Sequence, residues 1–324
     1  MPRSVDVADL VHRAQAGQPR AVARLISMVE DASPQLREVA EALAPHTGRA
    51  QVIGLTGAPG VGKSTSTSAL VSAFRSQGKR VGVLAVDPSS PFSGGALLGD
   101  RVRMQEHATD EAVFIRSMAT RGHLGGLAWA TPQALRVLDA AGCDVVLIET
   151  VGVGQSEVEV VQLADTTLVL LAPGMGDGIQ AAKAGILEVA DVFVINKADR
   201  DGADATERDL KYMISLGRRE RSGPMWRPPI VRTVASRGEG LDDVVGAIEQ
   251  HRTWLVDHGE LEQRRRRRAE AEIEAISVER LRTKLGYVHG GEALDRLAKQ
   301  VVAGQIDPYT AADQLIEGLH AEEA

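Results

Sequence analysis

Only one cysteine, Cys143, stands in 324 residues, so no internal disulfide framework can form and a cytoplasmic, reducing setting is expected. Aromatic residues make up just 3%, which leaves Ala, Val, Leu and Ile to fill the core. The eight histidines are scattered, and no spacing suggests a metal cage. No apolar stretch is long enough for a membrane span, and the early residues are acidic, so neither a span nor a signal peptide is expected. Excess positive charge is missing too: the formal charge of −7 argues against a general nucleic-acid binder. What is present, 44% hydrophobic and 25% charged residues, is ordinary for a globular protein. The length suits one large domain with appendages, or two domains.

Three regions differ in pattern. Residues 1–47 read as a helical extension, with Leu10, Val11 and Ala14, then Val22, Leu25, Ile26 and Val29, at helical spacing. Ser33-Pro34 is expected to open a further short helix. Over residues 48–256, apolar runs at 51–56, 81–86, 112–117, 144–149, 166–172, 191–195 and 230–235 alternate with helical segments. Several are continuous Val/Leu/Ile runs, as in central strands covered on both faces, which predicts an α/β fold with a mostly parallel sheet sandwiched by helices. Residues 257–324 form a charged helical arm, interrupted at His289-Gly290-Gly291, with two shorter helices after it. The run Arg264 to Arg268 invites a nucleic-acid reading. Glu260 and Glu262 before it and Glu270 and Glu272 after it lie at helical pairing distance, so a solvated helix surface is preferred. Ile273, Ile276, Leu281 and Leu285 give that arm a narrow apolar seam, which needs a partner such as another subunit.

The chemistry starts at Gly57-Ala58-Pro59-Gly60-Val61-Gly62-Lys63-Ser64-Thr65. A strand-like run precedes it and a helix-like run follows, the context that a phosphate-binding loop requires. Glycines let backbone N–H groups converge on phosphate oxygens, and the helix start adds partial positive charge. Lys63 is expected to reach the β/γ phosphates and Ser64 to ligate Mg²⁺. Asn196-Lys197-Ala198-Asp199, directly after the strand ending at Ile195, selects the base. A carboxylate at 199 accepts from the ring N–H and exocyclic amine of guanine, at about 1.5–3 kcal/mol per charge-assisted bond. Asn196 is expected to brace the site, the Lys197 stem to cover the base, and Ala235-Ser236 to back the guanine from the other side. GTP and GDP are thus the expected ligands.

Glu149, at the end of a strand, is a candidate to hold Mg²⁺ or its waters, and the Gly152 N–H to meet the γ-phosphate. Val153 follows that glycine, and Gln155 is the candidate to orient the attacking water. With the usual water-positioning Gln directly after the glycine missing or displaced, intrinsic turnover below about 1 s⁻¹ and dependence on a partner are expected. Asp87 and Asp100 are further metal candidates; for each, a cap or turn role is the alternative.

Together with Asp87-Pro88-Ser89-Ser90, Gly99-Asp100-Arg101-Val102-Arg103-Met104, Glu149-Thr150-Val151-Gly152-Val153-Gly154-Gln155-Ser156-Glu157 and Pro173-Gly174-Met175-Gly176-Asp177-Gly178-Ile179-Gln180, these motifs resemble the MeaB/ArgK family of P-loop GTPases over nearly the whole chain. The resemblance implies a P-loop NTPase fold and a homodimer formed through the C-terminal arm. It also implies a chaperone role toward an adenosylcobalamin-dependent acyl-CoA mutase, chiefly methylmalonyl-CoA mutase, in which the GTPase gates cofactor loading and protects the client. It further implies that residues 173–185 form a switch sensing the mutase, with Asp177 and Lys183 as its polar contacts. Two alternatives stand beside it: an ATP-using kinase tied to amino-acid transport, and a metal-delivery GTPase. The base-reading motif speaks against the first, and the lack of a His- or Cys-rich store against the second.

Overall fold

The structure, a computed structural model, describes residues 5–88, 104–107, 109–120, 130–150, 162–174, 189–216, 225–289 and 292–321. Among these residues seven strands form one sheet: β1 (Gln51–Thr56), β2 (Val81–Pro88), β3 (Val113–Thr120), β4 (Val145–Thr150), β5 (Thr166–Leu171), β6 (Val192–Ile195) and β7 (Ile230–Arg232). Their order is β3-β2-β4-β1-β5-β6-β7, and every described pairing is parallel. All C-terminal strand ends therefore share one edge, with β1 central. Strand β2 runs past the expected residue 86, because Asp87 and Pro88 still pair with Ala119 and Thr120.

The continuous apolar runs are explained by burial on both faces. Along β4, Val146 and Ile148 enter one core while Val145 and Leu147 enter the other. The first core is closed by three N-terminal helices, α1 (Val7–Gln15), α2 (Pro19–Glu30) and α3 (Leu36–Leu43), packed with α5 (Ala130–Ala140). The second is closed by α4 (Lys63–Ser76) and α7 (Leu241–Asp257), through Leu70, Val71, Phe74, Val244 and Ile248. Helix α6 (Ala203–Leu216) packs against β6.

The N-terminal helices separate where the sequence allows. Gly17, at φ +78°, breaks the chain between α1 and α2, and Pro19 takes the first-turn position of α2. Helix α3 opens at Leu36 rather than directly after Ser33-Pro34. The intervening turn is held by Gln35, whose amide exchanges hydrogen bonds with the Val5 backbone.

The chain divides into two compact units, Met1–Arg265 and Arg266–Ala324. Helix α8 (Glu260–His289) contributes its first turns to the former, and in the latter α9 (Glu292–Val302) packs on α10 (Pro308–Ala321). Within the second unit Leu297 is buried, whereas Ile273, Leu281, Val302 and Tyr309 are exposed. No helix among the described residues is long and apolar enough to cross a membrane.

The start of α8 departs from the expected solvated surface. Arg264 Nη1 and Nη2 donate to Asp191 Oδ2 and Oδ1, both at 2.8 Å, and Arg265 Nη2 donates to Asp165 Oδ2 at 2.9 Å. These two arginines thus lock onto carboxylates at the entrances of β6 and β5. Burial alone raises the Asp191 carboxyl pKa. Hydrogen bonds from His251 and Arg264 outweigh it and hold the value below the ordinary carboxylate range.

Candidate functional site

Residues 57–62 connect β1 to α4 at the C-terminal edge of the sheet, where ligands of such sheets bind. Two glycines in this loop have no substitute. Gly57 sits at φ +142°, and a Cβ there would lie 2.4 Å from Leu170 O. Gly62 caps α4 at φ +97°, and a Cβ would meet Asn196 Nδ2 at 2.4 Å. The loop is therefore pressed against β5 on one side and the 196–199 motif on the other. Ala58, Pro59 and Gly60 lie toward its outer side, Val61 is buried, and Thr65 is exposed on α4.

Lys63 opens α4 with a buried side chain, its ammonium donating to Gly57 O at 2.6 Å and Ala58 O at 3.1 Å. One residue on, Ser64 Oγ donates to Glu149 Oε1 at 2.6 Å. Glu149 is the fifth residue of β4 and is buried, so the sheet itself fixes the carboxylate beside the helix start. A hydroxyl and a carboxylate in contact are hard oxygen donors of the kind Mg²⁺ takes, with phosphate and water filling its other positions. Among the described residues no cluster of three or more His, Cys, Asp or Glu forms an all-protein metal site.

Asn196 joins the two halves of the site. Its Nδ2 donates to Val61 O at 2.9 Å, and its Oδ1 accepts from Ala235 N at 3.1 Å and Thr233 Oγ1 at 3.3 Å. Lys197, in the left-handed region at φ +57°, reaches back so that its ammonium donates to Gly60 O at 2.6 Å. Asp199 and Ser236 are exposed at the rim. The Asp199 carboxylate accepts from Arg237 Nη2 at 3.2 Å.

Not every candidate falls within this geometry. Asp87 is placed by its backbone on β2, the neighbour of β4; its side chain lies outside the described residues, as do Asp100, Gly152, Gln155, Asp177 and Lys183. Other residues at the site went unnoticed in the sequence. Arg237 is one. Ser68, one turn beyond Ser64 on α4, is another: its hydroxyl donates to Glu106 and lies 3.0 Å from His107 Nε2. Its i+4 spacing from Ser64 was the available signal. A cavity of about 620 Å³ lies along α4, lined in part by Thr65, Ser68, Glu106, Ser236 and Asp242.

A parallel sheet whose central strand ends in a glycine loop, a buried lysine and a Ser–Glu contact defines a P-loop NTPase fold. Comparison with known proteins narrows the class. Residues 22–287 match the family described as Methylmalonyl Co-A mutase-associated GTPase MeaB. The chain is 34% identical to GTPase ArgK of Escherichia coli (strain K12), over 99% of each chain. It is 35% identical to the Methylmalonic aciduria type A homolog, mitochondrial, of Mus musculus, covering 93% of this chain and 76% of the other. A crystal structure of LAO/AO transport system kinase superposes with a TM-score of 0.71 at 28% identity, over 99% of both chains. The protein belongs to the MeaB family and is a GTPase.

Proposed function

We propose that the chain binds GTP with Mg²⁺ and couples its hydrolysis to an adenosylcobalamin-dependent mutase, methylmalonyl-CoA mutase, as a chaperone that gates cofactor loading and protects the client. In this reading Lys63 and the amides of residues 57–65 hold the triphosphate, Asp199 reads guanine, and Asn196, Lys197 and Ser236 shape the base site. Ser64 and Glu149 would hold Mg²⁺, with Asp87 and Asp100 as further candidates, and the ion would neutralise charge on the β- and γ-phosphates. Gly152 would meet the γ-phosphate, Gln155 would orient water, and Asp177 and Lys183 would sense the client. Residues 1–47 and 257–324 serve as helical extension and dimerisation arm to a GTPase domain of residues 48–256, and the exposed Ile273, Ile276 and Leu281 suit a homodimer contact.

The observation that carries the nucleotide part is the Asn196 side chain bonded to both Val61 O and Ala235 N, which makes the phosphate loop and the base-reading motif one unit. Support for the client comes from the family's description and the mouse relative's name. The test measures GTP and ATP hydrolysis with and without purified methylmalonyl-CoA mutase. Slow turnover of GTP, little of ATP, and clear acceleration by the mutase are expected. Equal use of both nucleotides would favour the transport-kinase reading, for which the likeness to LAO/AO transport system kinase speaks, and a rate indifferent to the mutase would remove the client.

A further inference from the structure

A second cavity, of about 830 Å³, opens at the opposite edge of the sheet, where β1 and β4 begin. Six residues of β1 separate it from the phosphate loop, about 20 Å at the usual strand rise. Its wall includes Arg49, Lys79 and Arg252, together with Gln51, Asp139 and Asp144.

The two carboxylates are already committed to backbone amides. Asp139 accepts from Arg49 N at 3.2 Å and Ala50 N at 2.9 Å through Oδ1, and from Gly48 N through Oδ2. Asp144 Oδ2 accepts from Arg80 N at 2.7 Å. The buried thiol of Cys143, also in the wall, has its pKa pushed up by burial to about 12, so it adds no negative charge at neutral pH.

The donors are less occupied. Lys79 pairs with Glu249 at 3.2 Å. Arg252 spends Nη1 on Gln51 Oε1 at 3.2 Å. That bond fixes the orientation of the Gln51 amide, and Gln51 Nε2, on a residue only 2% exposed, then has no hydrogen-bond partner among the described residues. The Arg49 guanidinium likewise makes no hydrogen bond among the described residues. The Gln51 nitrogen is out of reach of solvent, so the open donors are the Arg49 and Arg252 guanidiniums, which beside carboxylates bonded to backbone amides suit a ligand that brings oxygens.

We propose that this cavity is a binding site for a small anionic ligand, an organic phosphate or carboxylate, held by Arg49 and Arg252. The site lies apart from the nucleotide and requires none of the nucleotide-binding residues. Arg49 and Arg252 supply charge-assisted donors, and the volume leaves room for an organic body beyond the anionic head.

The test is calorimetric titration of the full chain, preloaded with Mg²⁺ and a non-hydrolysable GTP analogue to fill the phosphate loop. Inorganic phosphate is the first probe and succinate the second. One saturable site is expected, weakened about tenfold or more by Arg49→Ala and by Arg252→Met, each of which removes a charge-assisted donor. Tighter phosphate identifies the ligand as an organic phosphate, and tighter succinate as a carboxylate. Arg49 is exposed and its side chain bonds nothing described, so its replacement leaves the fold intact and keeps the result readable. No saturable uptake of either probe, or uptake equal in the wild type and Arg49→Ala, would overturn the proposal.

Discussion

Replacing Arg264 by Met should destabilise the protein far more than the same change two residues later. Arg264 donates twice to Asp191 at 2.8 Å and once to Asp165 O at 3.0 Å. The Asp191 side chain is 7% exposed and that of Arg264 30%. Removing one partner of a buried pair costs about 3–5 kcal/mol, because a charge is left behind without compensation. Here Asp191 keeps His251 Nε2 at 3.2 Å and Thr167 N at 2.8 Å, and Arg264 is partly solvated, so a cost of about 2–3 kcal/mol is expected. In a chain of this size that lowers the melting temperature by about 3–4 °C. Arg266, by contrast, is 72% exposed and 3.6 Å from Glu270, a pair worth under about 0.5 kcal/mol. The sign with pH follows from the depressed Asp191 value. Its stabilisation is present above the ordinary carboxylate pKa and is lost as pH falls through the lower folded value. The gap between wild type and Arg264→Met in urea unfolding should therefore hold at neutral pH and close below about pH 4. Equal urea midpoints for Arg264→Met and Arg266→Met at pH 7 would refute the reasoning.

Two further outcomes are expected. Asp199→Asn should lower kcat/KM for GTP by roughly two orders of magnitude or more and favour xanthosine triphosphate, whose extra carbonyl accepts from an amide; an unchanged base preference in competition assays would exclude Asp199 as the reader. Cys143→Ala should gain on the wild type as pH rises. The unfolded thiol loses its proton near its ordinary value, while the folded one keeps it until about 12. The unfolded state then binds fewer protons, and wild-type stability falls by about 1.4 kcal/mol between pH 8 and 10 relative to the variant; a constant gap in urea titrations would contradict this.

The central strands β1, β4, β5 and β6 were legible because each is buried along its length and reads as an apolar-rich run, whereas the edge strands β3 and β7 are only partly buried. The ends were less so. The run at 230–235 shortens to β7 because Val234 turns to bridge Glu239 and Ala235 starts a 3₁₀ turn. The phosphate loop, Glu149 and the 196–199 motif were readable from local spacing, and parallel strands bring them to one edge. Contacts made across the fold were not readable. Arg264 looked like one charge in a solvated run, yet its partner Asp191 lies 73 residues away. Likewise Arg237 faces Asp199 from 38 residues away, with no periodicity to announce it.

The Asn196 carboxamide is polarised between neighbours of opposite character: its nitrogen faces a carbonyl and its oxygen faces an N–H. An aspartate of the same shape would turn an oxygen lone pair toward Val61 O, and an aliphatic residue would leave both neighbours unanswered. Position 196 is thus restricted by dipole direction as much as by size, and a tolerated exchange there would have to carry both a donor and an acceptor at the same reach.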